Sequence, residues 1–405
     1  MRRESESDMT APGVEEHHYR KFSAAEYRQR HEQLRRLLRQ QGLDGAIVYG
    51  GYKAMYQANA RWLTNMTEGM QYYAFFPTNG EPTAWNALYP HLIAAQRMSI
   101  IPDTRWGGPS IADAVATRIE ELGLAKGRLG LIGVHAARGI TLPMDHYLIW
   151  QERLPNAELV NITRDLENIR LIKSEEEIAF FAQGAALTDH TMAELIKAIK
   201  PGVDEINLYG RMQTAAFEVG GEFDFALLGS TSMSDPHMPY PWHVPTTRKI
   251  EPGDVVLNEI SVGFAGCSGQ LIVPICVGEP DHEYQELYDI ARQALTNVQK
   301  VLRPGANQDD VIEAARPISD NDLVSPAPII HGWPNPPMRP VVPFENHGKF
   351  EAPEPFTLQE NTLVMIEPNP ATTDGKRGVF LGALHVVTPE GGRNLHNHTL
   401  DFVRV

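Results

Sequence analysis

The chain has 405 residues, of which 42% are hydrophobic and 21% charged, and its formal net charge is −15. One hydrophobic core rarely serves a chain of this length, so we expect two domains. The acidic balance repels phosphate backbones, which argues against a nucleic-acid partner. No apolar run in the sequence approaches the roughly 18 residues of a membrane-spanning helix, so we expect no membrane insertion.

The N-terminal residues and the cysteines bear on the cellular location. Residues 1–18 lack the apolar segment of a signal peptide and predict a disordered leader. The two cysteines, Cys267 and Cys276, are too few for a disulfide framework and do not form a zinc motif. Two reduced thiols suit a cytoplasmic protein, which is the location we expect.

Residues 19–168 predict an α/β domain. Ser23 is a suitable N-cap for a first helix, and Gly42 is a suitable residue to end it. Short strand-like runs then alternate with helical stretches; the runs are AIVYG, YYAFFP, PTAWN, RLGLIG and AELVNI. This alternation is typical of a sheet covered by helices.

Residues 169–405 predict an α+β domain, an antiparallel sheet with helices on one face. Ser174 and Glu177 form a capping-box pattern at the start of a long helix through Ile199. Two further helices are predicted over residues 204–219 and 281–302. Strand-rich segments lie between and after them, in DVVLNEISVGF, GQLIVPICVG, NTLVMIEPNP and GALHVVTPEGG. The proline-rich stretch 326–355 predicts a long loop over a site.

Seven segments in order resemble the family of creatinase, aminopeptidase P, prolidase and methionine aminopeptidase. They are QGLDGAIVYG, RLIKSEEEIA, KPGVDE, HVPTTRKIEPGDVVLNEI, IIHGWP, LVMIEPNP and GVFLGALHVVTPEGG. The resemblance implies a creatinase-type N-terminal domain and a C-terminal catalytic domain of the pita-bread fold. It also implies a homodimer, in which the N-terminal domain of one chain covers the site of the other.

The family's peptidases hold two metal ions with two Asp, one His and two Glu. Those positions fall here on Glu259, Gln270, His331, Glu367 and Gly382. A neutral amide cannot bridge two cations as a carboxylate does, and glycine offers no ligand. We therefore expect a dismantled dinuclear site and no cofactor. A single ion held by Glu259, His331 and Glu367 is the alternative, since one imidazole and two carboxylates suit a mononuclear centre.

The resemblance also implies catalytic residues. His243 matches the histidine with which creatinase performs acid–base chemistry without a metal. Glu259 and Glu367 would position the substrate and water. Two carboxylates without a metal repel each other, so either one binds a proton or a cationic substrate group compensates them. Other creatinase positions are replaced here by Ile272 and Gly382, so the substrate is not expected to be creatine.

Six further residues are predicted to bind the substrate or to line its pocket. His331 and Gln270 stay at their ligand positions, and Arg339 stands where the peptidases carry a Glu, so it is a candidate for binding a carboxylate or phosphate. His237 and His347 are candidates for lining the pocket. Arg61 matches the segment that faces the neighbouring site in dimers; the alternative is an ordinary surface arginine.

These expectations define three hypotheses. The first is a metal-independent enzyme that cleaves, by hydrolysis or elimination, a C–N bond in a small polar non-peptide molecule. The second is a metal-dependent Xaa-Pro peptidase with a reduced metal site. The third is a non-catalytic binding module that keeps the pita-bread fold.

Overall fold

The computed structural model describes residues 19–51, 54–67, 69–135, 140–237, 240–241, 243–334, 339–342 and 355–405. The expected leader over residues 1–18 and the candidate His347 lie outside these ranges. Among the described residues, no helix is both long and apolar enough to cross a membrane.

The N-terminal part alternates helices and strands. In chain order it contains α1 (Ala24–Gln41), β1 (Gly45–Gly50), α2 (Ala54–Thr64), β2 (Tyr72–Pro77), β3 (Thr83–Asn86), α3 (Leu92–Met98), β4 (Asp103–Trp106), α4 (Ile111–Glu121), β5 (Arg128–Ile132), β6 (Val134–His135), β7 (Ile140–Thr141), α5 (Met144–Arg153), β8 (Glu158–Asn161) and α6 (Thr163–Leu171). Helix α1 begins where the Ser23 side chain accepts the Glu26 N–H, and it ends at Gly42 with φ of 64°. Both ends are as predicted.

Six of these strands form a mixed sheet in the order β4-β3-β2-β1-β5-β8. Strand β1 runs parallel to β5 and antiparallel to β2. Its alternate residues face opposite ways: Val48 packs in a cluster with residues of α1 and α6, and Ile47 packs with residues of α4 and α5. Helices therefore cover both faces, and the predicted α/β architecture is confirmed.

The C-terminal part forms a second, larger sheet. Its elements are α7 (Glu175–Ala198), α8 (Glu205–Glu218), β9 (Glu222–Ser232), β10 (Asp254–Phe264), β11 (Cys267–Ser268), β12 (Leu271–Ile272), β13 (Ile275–Cys276), α9 (His282–Val301), α10 (Gln308–Ala314), β14 (Ile330–Gly332), β15 (Val341–Val342), β16 (Leu363–Ile366), β17 (Gly382–Thr388), β18 (Gly391–Asn394) and β19 (Val403–Arg404). The main strand order is β15-β14-β16-β17-β12-β10-β13-β19, while β9 and β11 pair with β10 and β18 pairs with β17.

Three long helices pack on one face of this sheet. Leu195 of α7, Met212 of α8 and Leu295 of α9 share one buried cluster with residues of β10, β12, β16 and β17. The strand pairs are antiparallel except β13 with β19. The capping box of Ser174 and Glu177 starts α7, as predicted. The α+β prediction for this domain is therefore confirmed.

Two predictions about strands differ from the structure. Strand β9 was not predicted, because its half-exposed residues give no clear alternation of apolar and polar side chains. The stretch 326–355, predicted as a loop, contains β14 and β15. These strands have three and two residues, too few for a periodic signal, and pairing such as Ile330 with Ile366 forms them.

Replacing Gly184 by alanine tests how closely α7 packs against the sheet. A Cβ at Gly184 would lie 2.1 Å from the carbonyl oxygen of Cys267, so helix and sheet would have to separate. We expect Gly184→Ala to lower the free energy of unfolding by about 1–3 kcal/mol, as overpacking does. Urea denaturation followed by circular dichroism measures this change.

Gly210→Ala is the matched control, because Gly210 lies inside α8, is exposed, and a Cβ there meets nothing within 4 Å. Alanine has the higher helix propensity, so this variant should gain about 0.5–1 kcal/mol. Equal effects of the two substitutions would contradict the packing described for α7.

Candidate active site

The second face of the C-terminal sheet carries the candidate site. Side chains alternate along a strand, and Ile260 and Leu271 face the helices. Their neighbours Glu259 and Gln270 therefore face the opposite side. The pairing of Ile260 with Leu271, and of Ile272 with Gly382, fixes this arrangement across the sheet. The register thus brings residues 259, 270 and 382 together from three strands.

Gln270 and Glu259 contact each other directly. The amide nitrogen of Gln270 donates a hydrogen bond to Oε1 of Glu259. The amide oxygen of Gln270 is buried and, within the described part of the chain, accepts no hydrogen bond. The Gln270 amide therefore donates a hydrogen bond to the Glu259 carboxyl, while its own buried oxygen is left without a hydrogen-bond donor in this part of the structure.

The surroundings of Glu259 favour its protonated form. Burial raises the pKa of Glu259 well above its usual value, and the negative charge of Glu367 raises it further. The hydrogen bond from Gln270 opposes this shift only in part. Glu259 thus keeps its proton well above the pH at which an ordinary glutamic acid loses it, and it becomes a candidate proton donor.

His331 and Glu367 form the second half of the site. Nε2 of His331 lies 3.3 Å from Oε1 of Glu367. Nδ1 of His331 lies 3.1 Å from the carbonyl oxygen of Gly332, which can only accept, so Nδ1 carries a hydrogen. Nε2 is therefore the ring nitrogen that can accept a proton, and it faces the Glu367 carboxyl.

An apolar wall lies beside these polar groups. Leu257, Ile272, Met365 and Phe380 form a small buried cluster with Leu227 and Tyr240 packed against it. Several of these wall residues stand two positions from a site residue, as Leu257 does from Glu259 and Phe380 from Gly382. The i, i+2 spacing on neighbouring strands is a sequence signal that would have identified them.

Tyr240 is a site residue that the sequence reasoning missed. Its ring packs against Phe380, and its hydroxyl donates to the carbonyl oxygen of Val379 over 3.0 Å. Burial raises the pKa of Tyr240 well above its usual value, and the charges of Tyr284, Glu367 and Glu259 add to the shift. The neutral phenol therefore closes one side of the site.

The predicted histidines of the 237–243 segment lie in exposed positions. Nδ1 of His243 is 3.1 Å from the carbonyl oxygen of Pro241, and its own carbonyl accepts the Leu228 N–H. His237 bonds through Nδ1 to the hydroxyl of Thr231 at 2.9 Å. Both residues lie alongside β9, and neither forms a hydrogen bond or ion pair with Glu259 in the described part of the chain, so their roles stay predictions.

The structure corrects the expectation for Arg61. Its guanidinium is buried and makes two hydrogen bonds of 2.7 Å to the carboxylate of Glu222, on β9 of the same chain. Glu222 also accepts the N–H of Gly266 at 3.1 Å. Arg61 therefore joins the two domains within one chain through this ion pair.

Arg339 lies at the edge of the site strand that carries His331. A Cβ on Gly332 would lie 1.3 Å from the carbonyl oxygen of Arg339, so only glycine allows this approach of the two backbones. The side chain of Arg339 is half-buried. Its role in substrate binding stays a prediction.

The residues at the five ligand positions do not fit a dinuclear metal centre. A Cβ added to Gly382 would lie 2.6 Å from Cε of Met365 and 2.7 Å from the carbonyl oxygen of Ile366, so the place of a fifth ligand is filled. Gln270 turns its amide nitrogen towards Glu259. Within the ranges described above, no group of three His, Cys, Asp or Glu side chains is arranged to hold a metal ion. Binding of a single ion by Glu259, His331 and Glu367 stays the alternative prediction.

Comparison with known proteins gives matches over both domains. Residues 179–389 match metallopeptidase family M24, and residues 30–172 match the creatinase/prolidase N-terminal domain. The probable dipeptidase PepE of Mycobacterium tuberculosis is 25% identical over 402 residues, 95% of this chain and 99% of that protein. Creatinase of Bacillus sp. (strain B-0618) is 25% identical over 314 residues, 75% of this chain and 73% of that protein.

A solved structure supports the same architecture. The X-Pro aminopeptidase of Thermotoga maritima MSB8 superposes with a TM-score of 0.76 at 16% identity, covering 93% of this chain and 99% of that one. An identity this low supports the shared fold alone. The predicted pairing of a creatinase-type domain with a pita-bread domain is thereby confirmed.

The pH dependence of stability tests the protonation of Glu259. Unfolding exposes this carboxyl and returns its pKa to about 4.5, below the folded value. The stabilisation from neutral Glu259 is fully present at pH values below the unfolded pKa. It is lost as the pH rises towards the folded pKa, by at most about 1.4 kcal/mol per pH unit. Glu259→Gln removes this titration, so its stability relative to the unaltered protein should rise as the pH is raised above about 5.

Urea denaturation at a series of pH values measures that difference. Glu360→Gln is the matched control, because Glu360 is exposed. A difference between Glu259→Gln and the unaltered protein that stays constant with pH would contradict a protonated Glu259.

Proposed function

Since this chain belongs to metallopeptidase family M24, whose relatives include hydrolases, we propose that it is a metal-independent hydrolase of a C–N bond in a small, polar, non-peptide substrate. The observation that carries the proposal is the contact of Gln270 with Glu259, a carboxyl whose pKa is raised where the family's metal pair needs an ionised bridging ligand. Burial and the charge of Glu367 make this position suited to proton transfer.

The two halves of the site have complementary roles. The His331–Glu367 pair accepts a proton from water as the water oxygen attacks the electrophilic carbon. Glu259 donates its proton to the leaving nitrogen as the C–N bond breaks, and Gln270 holds Glu259 in place. One proton is taken up and one is released, so the site returns to its starting state when the two halves exchange a proton through water.

His243 is the third proposed catalytic group. Its support is the resemblance to creatinase and its place on the loop beside β9. Its ring is exposed in the single chain. We propose that it reaches the substrate as a second acid–base group from the rim of the site.

The charges of the site indicate the substrate. The side chains that shift the pKa of Glu259 are Glu367 and Gln270, and neither of them is a cation. Tyr240 and Phe380 add aromatic surface next to the carboxyls, which favours cations. We therefore propose a substrate that carries a small cationic group, such as an ammonium or amidinium.

The alternative is a metal-dependent Xaa-Pro dipeptidase. Its support is the likeness over 95% of the chain to a protein named as a probable dipeptidase. It would have to bind its metal with Gln270 and Gly382 in place of two carboxylates.

Metal content and chelation separate the two functions. The purified full chain is analysed for bound metals by mass spectrometry and then assayed, before and after chelator treatment, on amidines, ureas, N-substituted amino acids and Xaa-Pro dipeptides. We expect turnover of a cationic non-peptide compound that chelation does not reduce. Tightly bound stoichiometric metal that turnover requires would overturn the proposal in favour of the dipeptidase.

Substitutions assign the roles. Glu259→Gln and Glu367→Gln should each lower kcat by about 10²–10⁴-fold, the usual contribution of a general acid or base. Glu360→Gln, at an exposed site, should leave kcat unchanged. Unchanged turnover in both site variants would refute the assignment of Glu259 and Glu367 as catalytic groups, whereas an absence of turnover with every compound tested would favour the binding module.

We further propose a homodimer in the cytoplasm, as the resemblance implies. Exposed apolar side chains on the N-terminal domain provide surface for such a contact: Tyr89 and Ile93 are each 66% exposed, and Trp106 is 41% exposed. Light scattering after gel filtration should give twice the chain mass of 45.2 kDa. Ile93→Glu should shift the protein towards the monomer, whereas Ile206→Glu, on the distant α8, should not. A monomer mass at every concentration would exclude the dimer.

A further inference from the structure

A partly enclosed cavity lies at the junction of the two domains, apart from the candidate active site. Its volume is about 50 Å³, enough for a few water molecules or one small ion. None of its lining residues belongs to the set formed by Glu259, Gln270, His331 and Glu367. Its charged lining residues are Arg30, Arg61, Arg170, Lys173, Glu177 and Asp224.

The four cations of this cavity are unusually buried. Arg30, Arg61, Arg170 and Lys173 are 1%, 9%, 5% and 4% exposed. Lysine and arginine are rarely buried to this degree unless their charge is matched by a neighbouring anion. Two acidic side chains line the same space, so the lining carries more positive than negative groups.

Each of the three arginines forms hydrogen bonds through some of its guanidinium nitrogens but not through all of them. Nε of Arg30 bonds to Glu26 at 2.7 Å, and both terminal nitrogens of Arg61 bond to Glu222. Nη1 of Arg170 donates to the side-chain oxygen of Asn59. These bonds fix the three guanidinium groups around the cavity and leave other N–H groups unused.

Two of the unused groups are buried donors without an acceptor. Within the described residues, Nε of Arg61 and Nε of Arg170 have no hydrogen-bond partner. Nη2 of Arg30 lies 3.2 Å from Oε1 of Glu177 but does not form a hydrogen bond with good geometry. Buried N–H groups are nearly always satisfied in folded proteins, so an acceptor is expected in the space that they line.

The positive charges of this cluster disfavour the charged form of the neighbouring bases. Burial lowers the pKa of Lys173 to about 7; Glu177 opposes this shift and Arg170 adds to it. Burial lowers the pKa of Arg170 to about 10; the charges of Glu167 and Glu177 oppose this shift and the charge of Arg30 adds to it. An anion among them would offset both effects, because an opposite charge stabilises the charged form of a buried base.

We propose that this cavity binds one small monovalent anion, a halide or an anion of similar size, held by Arg30, Arg61 and Arg170. The anion accepts the N–H groups that the protein leaves unpaired. The cavity volume excludes larger anions such as nucleotides. This site is independent of the proposed hydrolase function.

Bromide provides a direct test on the unaltered full-length protein. Crystals grown or soaked in sodium bromide are measured at the bromine absorption edge. We expect an anomalous peak in the cavity, in contact with Nε of Arg61 and Nε of Arg170. Well-ordered water with no anomalous peak in that space would overturn the proposal.

A thermal titration tests binding in solution. Sodium chloride is compared with sodium gluconate at equal ionic strength, because gluconate is too large for the cavity. We expect chloride to raise Tm by about 5 °C at a concentration a hundredfold above its Kd. Equal Tm values in the two salts would overturn the proposal.

Variants locate the effect. Arg170→Gln should abolish the difference between chloride and gluconate, whereas Arg39→Gln, at a side chain that is 49% exposed, should retain it. A chloride effect that persists in folded Arg170→Gln would refute the assignment to this cavity. The bromide measurement decides the proposal even if Arg170→Gln does not fold.

Discussion

Two carboxyl groups, Glu259 and Glu367, lie close together on one face of the C-terminal sheet, and their mutual repulsion governs the site. Burial and the charge of Glu367 hold a proton on Glu259, so the two groups differ in protonation although they are chemically alike. Gln270 supports the protonated member and His331 supports the other. The apolar wall of Leu257, Ile272, Met365 and Phe380 is buried on the same face of the sheet.

The sequence predicted local structure best where the signal is itself local. The capping box of Ser174 and Glu177, the end of α1 at Gly42 and the strand β10 were all read correctly, because each depends on a few consecutive residues. Strands β9, β14 and β15 were not, because pairing with distant partners forms them. In the same way, the resemblance placed Glu259, Gln270, His331 and Glu367, whereas the contacts of Tyr240 and the pairing of Arg61 with Glu222 depend on tertiary structure.

The chain has two buried polar centres, the arginine cluster at the junction of the domains and the candidate active site. Three arginines make contacts at this junction. Arg30 lies beside Glu177 of α7, and Arg61 forms an ion pair with Glu222 of β9. Arg170 donates a hydrogen bond to Asn59 of α2. The main chain links this junction to the candidate site: Trp333, two residues after His331, donates its indole N–H to the Ser268 carbonyl, two residues before Gln270, at 2.5 Å. This hydrogen bond ties the segments that carry the two halves of the candidate site to each other within the C-terminal domain.

The contact between Met365 and Gly382 constrains how this chain could evolve. The thioether of Met365 occupies the space that any side chain at position 382 would need. A glutamate at position 382 would overlap with the Met365 side chain and destabilise the fold. A smaller residue at position 365 would by itself leave a cavity. Because the main-chain oxygen of Ile366 also lies 2.7 Å from a Cβ at position 382, a smaller residue at position 365 does not by itself make room, and a side chain at position 382 also requires the backbone of the neighbouring strand to shift.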